Sequence, residues 1–402
     1  MLLDSQISEV AERQKKTFLG RNTGVSREKR REITLYENFV TVITGVRRGG
    51  KSTLMLQLLE DNPGGVFFLN FEDPRLAGFD TDDFSRLDMV IEKTDARILF
   101  FDEIQMLTNW ELYVRQKLDE GFRIVVTGSN ATLLSRELGT KLTGRNLPYE
   151  LFPFSYREFL AYASYKNSDN SAWEYLENGG FPEYLKTGNG AVLNRLLEDI
   201  LMKDIAVRYG LRDVNSLRQL AVYLLSNIGK LVSATGMKNL FDIRSPATIL
   251  EYFSYLENTY VVQFLPKFSY SLKVQIRNPR KVYAIDMGLF THNSIVFTDE
   301  AGRRLENTVY LHLRRKYTEL YYFQDQRECD FIAIHKGRPA EILQVCYELT
   351  DLNKTREFTG LKEALDFFKE EKGRIITFNQ KDTFKFHGKV IEVVPLTEFL
   401  LE

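Results

Sequence analysis

The sequence predicts an α/β protein: a parallel sheet, then a largely helical stretch, then a smaller α/β module. Three observations carry this. Short apolar runs alternate with helical periods between residues 36 and 153. Helical period prevails from 154, and strand-rich segments return after about 300. At 402 residues, 44% apolar and 13% aromatic, the chain can build several cores.

The elements follow in order. Residues 13–31, RQKKTFLGRNTGVSREKRR, carry eight Lys or Arg against one Glu and read as a basic helix, a Gly-containing turn and a second helical start. Residues 1–35 are thus set apart as a basic helical segment. A solvated surface and a phosphate-contacting arm are both open for it.

In the segment 36–153, strands are expected at 39–45, 65–71, 97–103, 122–129 and 147–153. Helices such as KSTLMLQLLED and NWELYVRQKLDEG lie between them. Continuous apolar strands separated by helices imply a parallel sheet covered on both faces.

Residues 154–210 form a helical stretch broken at NGGFPEYL (178–185). Over 211–290, SLRQLAVYLLSNIG, SATGMKNLF and SPATILEYFSYLENT read as three helices, and YVVQFLPKFSYS as a strand pair. Ser245-Pro246 suits the start of the third helix. Three helices before a hairpin is the winged-helix order. From 300 to 402 a helix, three strands, a helix and two closing strands make a compact α/β module.

Composition excludes several classes. A net charge of -1 gives no global attraction to nucleic acid, so any such affinity needs a local patch. No apolar run approaches the roughly 18 residues of a membrane span, and no export signal is visible at the start. Cys329 and Cys346 are too few for a disulfide framework and read as free thiols. The four histidines lack metal-ligand spacing. A soluble cytoplasmic protein is expected.

The chemistry starts at VITGVRRGGKSTLM. Gly45 to Ser52 matches G-x-x-x-x-G-K-[ST] in full, between an apolar strand and a helix start. Gly45, Gly49 and Gly50 let the backbone wrap phosphate oxygens, and the helix N-terminus adds positive potential. Lys51 reaches the outer phosphates, Ser52 ligates Mg²⁺, and Thr53 completes the loop. Asp102 and Glu103 end the run RILFFDE. Asp102 suits the Mg²⁺ shell, and Glu103 suits activation of an attacking water. In VVTGSN, either Ser129 or Asn130 can sense the outer phosphate or hold the water; a helix N-cap is equally open for each.

Together the loop, FFDEIQ, TGSN, LTGRNLPYELFPFSYREFL, GGFPEYL, NPRKVYAIDMGLF and RECDFIAI resemble the archaeal and bacterial AAA+ ATPases that carry an uncharacterised C-terminal domain of nuclease-like fold. The resemblance covers nearly the whole chain. It implies an ATPase core, a helical lid, a winged-helix domain and a restriction-endonuclease-like module. It implies ATP and Mg²⁺ as cofactors; no guanine-reading N-K-x-D is present. It also suggests Arg145 as an arginine that reaches a neighbouring subunit's γ-phosphate, a surface ion pair being the alternative. Arg208 is a weaker lid candidate, since Asp204 stands four residues before it.

The same resemblance implies that Glu306, an Asp and a Glu-x-Lys pair bind metal in the C-terminal module. Glu306 and Asp330 are in place. Gln344 and Cys346 stand where Glu and Lys belong, and a shifted register with Glu341 leaves Leu343 for the lysine. Cleavage is therefore not expected. The winged helix can meet duplex DNA through residues 246–258 or through 267–281, which hold five basic residues and no acid.

The expected function is Mg²⁺-dependent ATP binding and hydrolysis coupled to conformational change and DNA. The alternative is a nucleotide-controlled switch whose C-terminal module recruits a protein; a homo-oligomer is a further expected partner. Arg47 and Arg48 are not needed to cradle phosphate and are expected to face the lid, another subunit or the C-terminal module.

Overall fold

The computed structural model describes residues 2–130, 142, 144–241, 243, 245–295 and 300–402. The chain forms two compact units, Met1–Phe152 and Pro153–Glu402.

The first unit contains helix α1 (Asp4–Leu19), strand β1 (Val40–Thr44), α2 (Lys51–Glu60), β2 (Val66–Asn70), α3 (Asp83–Glu92), β3 (Ile98–Asp102), α4 (Trp110–Asp119), β4 (Arg123–Gly128) and β5 (Asn146–Glu150). Its five-stranded sheet runs β2-β3-β4-β1-β5, every pair parallel. β1 and β3 are buried at every position, as expected of strands covered on both faces. Ile7, Val10 and Ala11 of α1 cover one face with Val42, Leu99, Phe101 and Trp110. Phe18, Leu54, Met55 and Leu58 cover the other with Ile43, Phe100 and Val125.

The first helix begins at Asp4, well before the basic run. Its stripe Ile7, Val10, Ala11 has helical spacing and packs into the core, so the N-terminal segment is built into the first unit. Phe18 stacks on Phe68 with ring centroids 4.1 Å apart. Residues 131–141, where a helix capped by Ser129 or Asn130 would run, lie outside the described residues.

The second unit opens with helices at Tyr156–Ala163, Asp169–Asn178, Pro182–Thr187 and Ala191–Asp199. The last continues through a π-helical stretch, Ile200–Val207, and Val214–Leu225 follows. Asp286 explains two of the quoted motifs: its carboxylate accepts the Gly180 amide at 2.6 Å and the Gly288 amide at 2.8 Å. It thus ties GGFPEYL to the helix Met287–Asn293.

Three strands, β6 (Leu231–Val232), β7 (Val262–Leu265) and β8 (Arg280–Ala284), make an antiparallel sheet in the order β6-β8-β7, beside the helix Pro246–Asn258. Two expectations fail here. SATGMKNLF is a run of turns, not a helix: Asn239 and Phe241 take positive φ, and Ser233 Oγ accepts the Gly236 amide. YVVQFLPKFSYS holds one strand, not two. After Pro266 the chain bonds to Tyr322 through the Phe268 amide, and β7 finds its partner in β8 across a short helix, Leu272–Arg277.

The C-terminal module is a six-stranded sheet ordered β13-β14-β12-β11-β10-β9. Its strands are β9 (Glu319–Gln324), β10 (Glu328–His335), β11 (Arg338–Val345), β12 (Lys372–Thr377), β13 (Asp382–Phe386) and β14 (Lys389–Pro395). Helices Ala301–Lys316 and Lys354–Phe368 accompany it. The sequence gives no sign of β13, an exposed edge strand paired with β14 through His387 and Gly388. Both of those residues take positive φ, as a tight hairpin turn requires. Among the described residues no helix is long and apolar enough to cross a membrane.

Candidate functional site

Parallel strands carry their chain ends to one edge, and at the carboxyl edge of the first unit β1, β3 and β4 run into polar residues. β1 passes directly into the glycine loop. Gly45 has φ 148°, and a Cβ there would lie 2.1 Å from the Leu151 carbonyl oxygen. Only glycine lets the loop turn so close to the neighbouring backbone. Gly50, at φ 99°, caps α2, whose free N–H groups face the loop.

Lys51 is 4% exposed. Its Nζ donates to the carbonyls of Gly45 at 3.1 Å and Val46 at 3.2 Å, and lies 3.9 Å from Glu103 Oε1. The ammonium is thus curled into the loop, where a phosphate would compete for it. Ser52 Oγ donates to Asp102 Oδ2 at 2.9 Å. Asn70 Nδ2 donates to the same oxygen at 2.9 Å, and Thr127 Oγ1 donates to Oδ1. Thr53 is half-buried on the first turn of α2.

These partners of Asp102 are neutral donors. Burial, and then the charge of Glu103, push its carboxyl up to about 6. A buried carboxylate beside a serine hydroxyl is a hard-oxygen pair, which suits Mg²⁺. Glu103 sits at φ 53°, its amide donating to Thr127 Oγ1 at 3.0 Å. Gln105 Nε2 donates to the Glu103 carboxylate and lies 3.5 Å from Ser129 Oγ. Gln105 Oε1 is buried without a hydrogen-bond partner. Ser129 and Asn130 are buried at the end of β4.

The structure therefore gathers Gly45, Gly49, Gly50, Lys51, Ser52, Thr53, Asp102, Glu103, Ser129 and Asn130 along one edge. Arg145 is not among them. It precedes β5, its carbonyl accepts the amide of Val40 at the start of β1, and its guanidinium pairs with Asp119 at 2.8 Å. That is the opposite edge of the sheet, so within one chain Arg145 does not reach the loop. Arg208 is exposed in the second unit. Arg47 pairs with Glu72 at 3.0 Å within its own unit. Arg48 is exposed at φ 62°.

Sequence reasoning missed three residues. Asn70 ends an apolar run as Asp102 does, and that parallel was visible. Gln105 showed no signal beyond its place in FFDEIQ. Arg27, 2% exposed, donates to the carbonyls of Gly49 at 2.8 Å and Phe152 at 2.6 Å, and so braces the glycine loop from behind. In the basic run it looked like one more surface charge.

In the second unit, Glu306 and Asp330 do meet, around Lys281. Its Nζ lies 3.0 Å from Glu306 and 2.8 Å from both Asp330 and Glu328. Gln344 is turned to other partners, accepting the Asp330 amide and donating to Glu357. Cys346 donates to the Glu348 carbonyl, and burial pushes its thiol up to about 11. Glu341 pairs with Arg374.

Residues 37–160 match the family model described as an AAA domain, and residues 169–300 match a domain of unknown function. The uncharacterized protein MJ1544 of Methanocaldococcus jannaschii is 33% identical, over 92% of this chain and 90% of that protein. An uncharacterized protein of Haemophilus influenzae is 31% identical, over 91% of this chain and 95% of its own. Among solved structures, AMPPCP-bound DnaA from Aquifex aeolicus aligns at 13% identity and TM-score 0.28, covering 57% of this chain and 85% of that one. Cdc6p from Pyrobaculum aerophilum aligns at 13% identity and TM-score 0.27, covering 72% and 92%.

Proposed function

The chain belongs to the AAA+ P-loop ATPases, in one family with the M. jannaschii and H. influenzae proteins, and we propose that it binds ATP with Mg²⁺ and hydrolyses it at the carboxyl edge of the first unit. The single observation that carries this is the hydrogen bond from Ser52 Oγ to Asp102 Oδ2 at 2.9 Å, with Lys51 and Glu103 beside it. In this reading Ser52 and Asp102 would hold the ion. Bound there, Mg²⁺ would neutralise charge on the phosphate oxygens.

The protein's own groups do the rest. Loop amides and the α2 N-terminus hold the phosphates, and Lys51 leaves the Gly45 and Val46 carbonyls to pair with the outer ones. The Glu103 carboxylate accepts a proton from the attacking water as that water bonds to the γ-phosphorus and the bond to the β,γ-bridging oxygen breaks, leaving ADP and phosphate. Gln105 fixes the Glu103 side chain, and Ser129 and Asn130 offer polar contacts to the water or phosphate. Arg145 would act only in trans, on the site of a second copy.

That placement favours a second reading for the isolated chain: a nucleotide-controlled switch with slow turnover until a partner completes the site. Duplex DNA is the partner we propose. The helix Pro246–Asn258 beside an antiparallel sheet supports a winged-helix arrangement. Lys267, Lys273, Arg277 and Arg280 supply positive charge between and at the strands. Lys281, the fifth basic residue of 267–281, is buried and unavailable to phosphate. ATP and Mg²⁺ supply puts the activity in the cytoplasm.

ATP turnover with and without duplex DNA tests the pair. Hydrolysis stimulated by DNA supports the coupled ATPase. Tight ATP binding with negligible turnover in both conditions supports the switch, and failure to bind ATP overturns both.

A further inference from the structure

Three carboxylates of the C-terminal module gather around one lysine. Glu328 and Asp330 stand two apart on β10 and so share one face of the strand. Glu306 comes from the helix Ala301–Lys316. The three acids converge on one point, and that point is taken. Lys281 of β8, 3% exposed, places its Nζ within 3.0 Å of an oxygen of each. Its ammonium donates to Glu306 Oε1 and Asp330 Oδ1 and pairs with Glu328 Oε1 at 2.8 Å. Two residues along the same face of β8, Tyr283 donates its hydroxyl to Glu306 at 2.7 Å.

The remaining groups close the arrangement. Asp330 Oδ2 accepts the Val345 amide at 2.9 Å, and the Gln344 side chain is spent on the Asp330 amide and Glu357. A divalent ion therefore does not fit the residues as they stand. It would have to share the centre of the cluster with a cation that burial opposes but that Asp330 and Glu306 hold well above the usual lysine range.

We propose that Lys281 is a built-in cation that takes the place of a divalent metal among Glu306, Glu328 and Asp330, and that removing its ammonium turns the cluster into a divalent-cation site. The lysine arrives from β8, so the same contact fastens the three-stranded sheet to the C-terminal sheet. The module is then a closed carboxylate site that holds its partner strand, with no vacancy for a hydrolytic ion.

The test is Mn²⁺ binding to the full chain without nucleotide, by titration calorimetry or electron paramagnetic resonance. Variants are compared in pairs that differ only at Asp330, so that any metal bound at the phosphate loop cancels. Wild type and Asp330→Asn should bind Mn²⁺ alike. Lys281→Ala should gain one further site, at least about tenfold tighter than anything Asp330-dependent in the wild type, and lose it in Lys281→Ala/Asp330→Asn. Asp330-dependent Mn²⁺ binding by the wild type would overturn the proposal, as would a folded Lys281→Ala chain with no added site. Should Lys281→Ala not fold in metal-free buffer, Mn²⁺-dependent refolding that Asp330→Asn abolishes supports it, and no recovery with Mn²⁺ overturns it.

Discussion

The carboxyl edge of the first unit and the acidic cluster of the second use the same ingredients to opposite ends. Each buries acids beside a lysine. At the first, Lys51 lies 3.9 Å from Glu103 and spends its hydrogens on backbone carbonyls, which a phosphate can replace. Asp102 there is held by hydroxyl and amide donors. At the second, Lys281 lies within 3.0 Å of three carboxylates, and nothing is left to exchange. A lysine at the head of a helix, bonded to loop carbonyls, makes a site that can open. A lysine within a strand, paired to carboxylates, makes one that stays shut.

The sharpest way to break this contrast is to remove the second lysine. Lys281→Met in metal-free buffer should cost about 3–5 kcal/mol of stability, because buried carboxylates lose their cation. Denaturant unfolding monitored by circular dichroism would check it. A loss under 1 kcal/mol would mean the cluster is not closed by charge.

On the first unit, Arg27→Ala should cost about 2 kcal/mol, since it strands the buried carbonyls of Gly49 and Phe152. It should also weaken ATP binding, as the loop loses its brace. Unaltered ATP affinity with lowered stability would confine Arg27 to packing.

Asp102, raised from 3.8 to about 6 chiefly by burial, must be ionised to hold Mg²⁺. Mg²⁺-dependent nucleotide affinity should therefore fall about fivefold between pH 6 and 5. The unliganded protein should show the opposite sign. A carboxyl whose folded value is raised contributes stability that is fully present below 3.8 and lost as pH rises through about 6. Calorimetric melting with and without Mg²⁺-nucleotide across pH 4.5–7.5 separates the two, and Asp102→Asn should remove both trends.

The smallest effect belongs to Arg145→Ala. Its ion pair with Asp119 is partly exposed and should be worth less than about 1 kcal/mol. Turnover of the isolated chain should not change, whereas a loss confined to concentrations at which copies associate would give Arg145 its role in trans.

Much of the first unit was legible because its strands are continuous apolar runs ending in chemically distinct residues: glycine loop, Asp102-Glu103, Gly128-Ser129. The parallel sheet then brings those ends together without further information. Asn70 and Gln105 were harder, since an amide carries no charge signature and gains its meaning only from the carboxylate it touches. Arg27 was hidden by composition, one cation among eight.

The second unit was legible in order but not in pairing. β7 and β8 lie 14 residues apart across a helix, Leu265 to Arg280 bounding the gap, and local pattern favoured a hairpin within YVVQFLPKFSYS. Lys281 illustrates the limit most clearly. In a run of basic residues it looked fit for phosphate, and only the folded chain shows three acids waiting for it.

The central claim, that Glu103 activates water beside a working phosphate loop, is tested most directly by Glu103→Gln. ATP turnover should fall about 100-fold or more while ATP affinity, measured by calorimetry in the same buffer, stays within about twofold of wild type. Turnover at the wild-type rate in that variant would contradict the account.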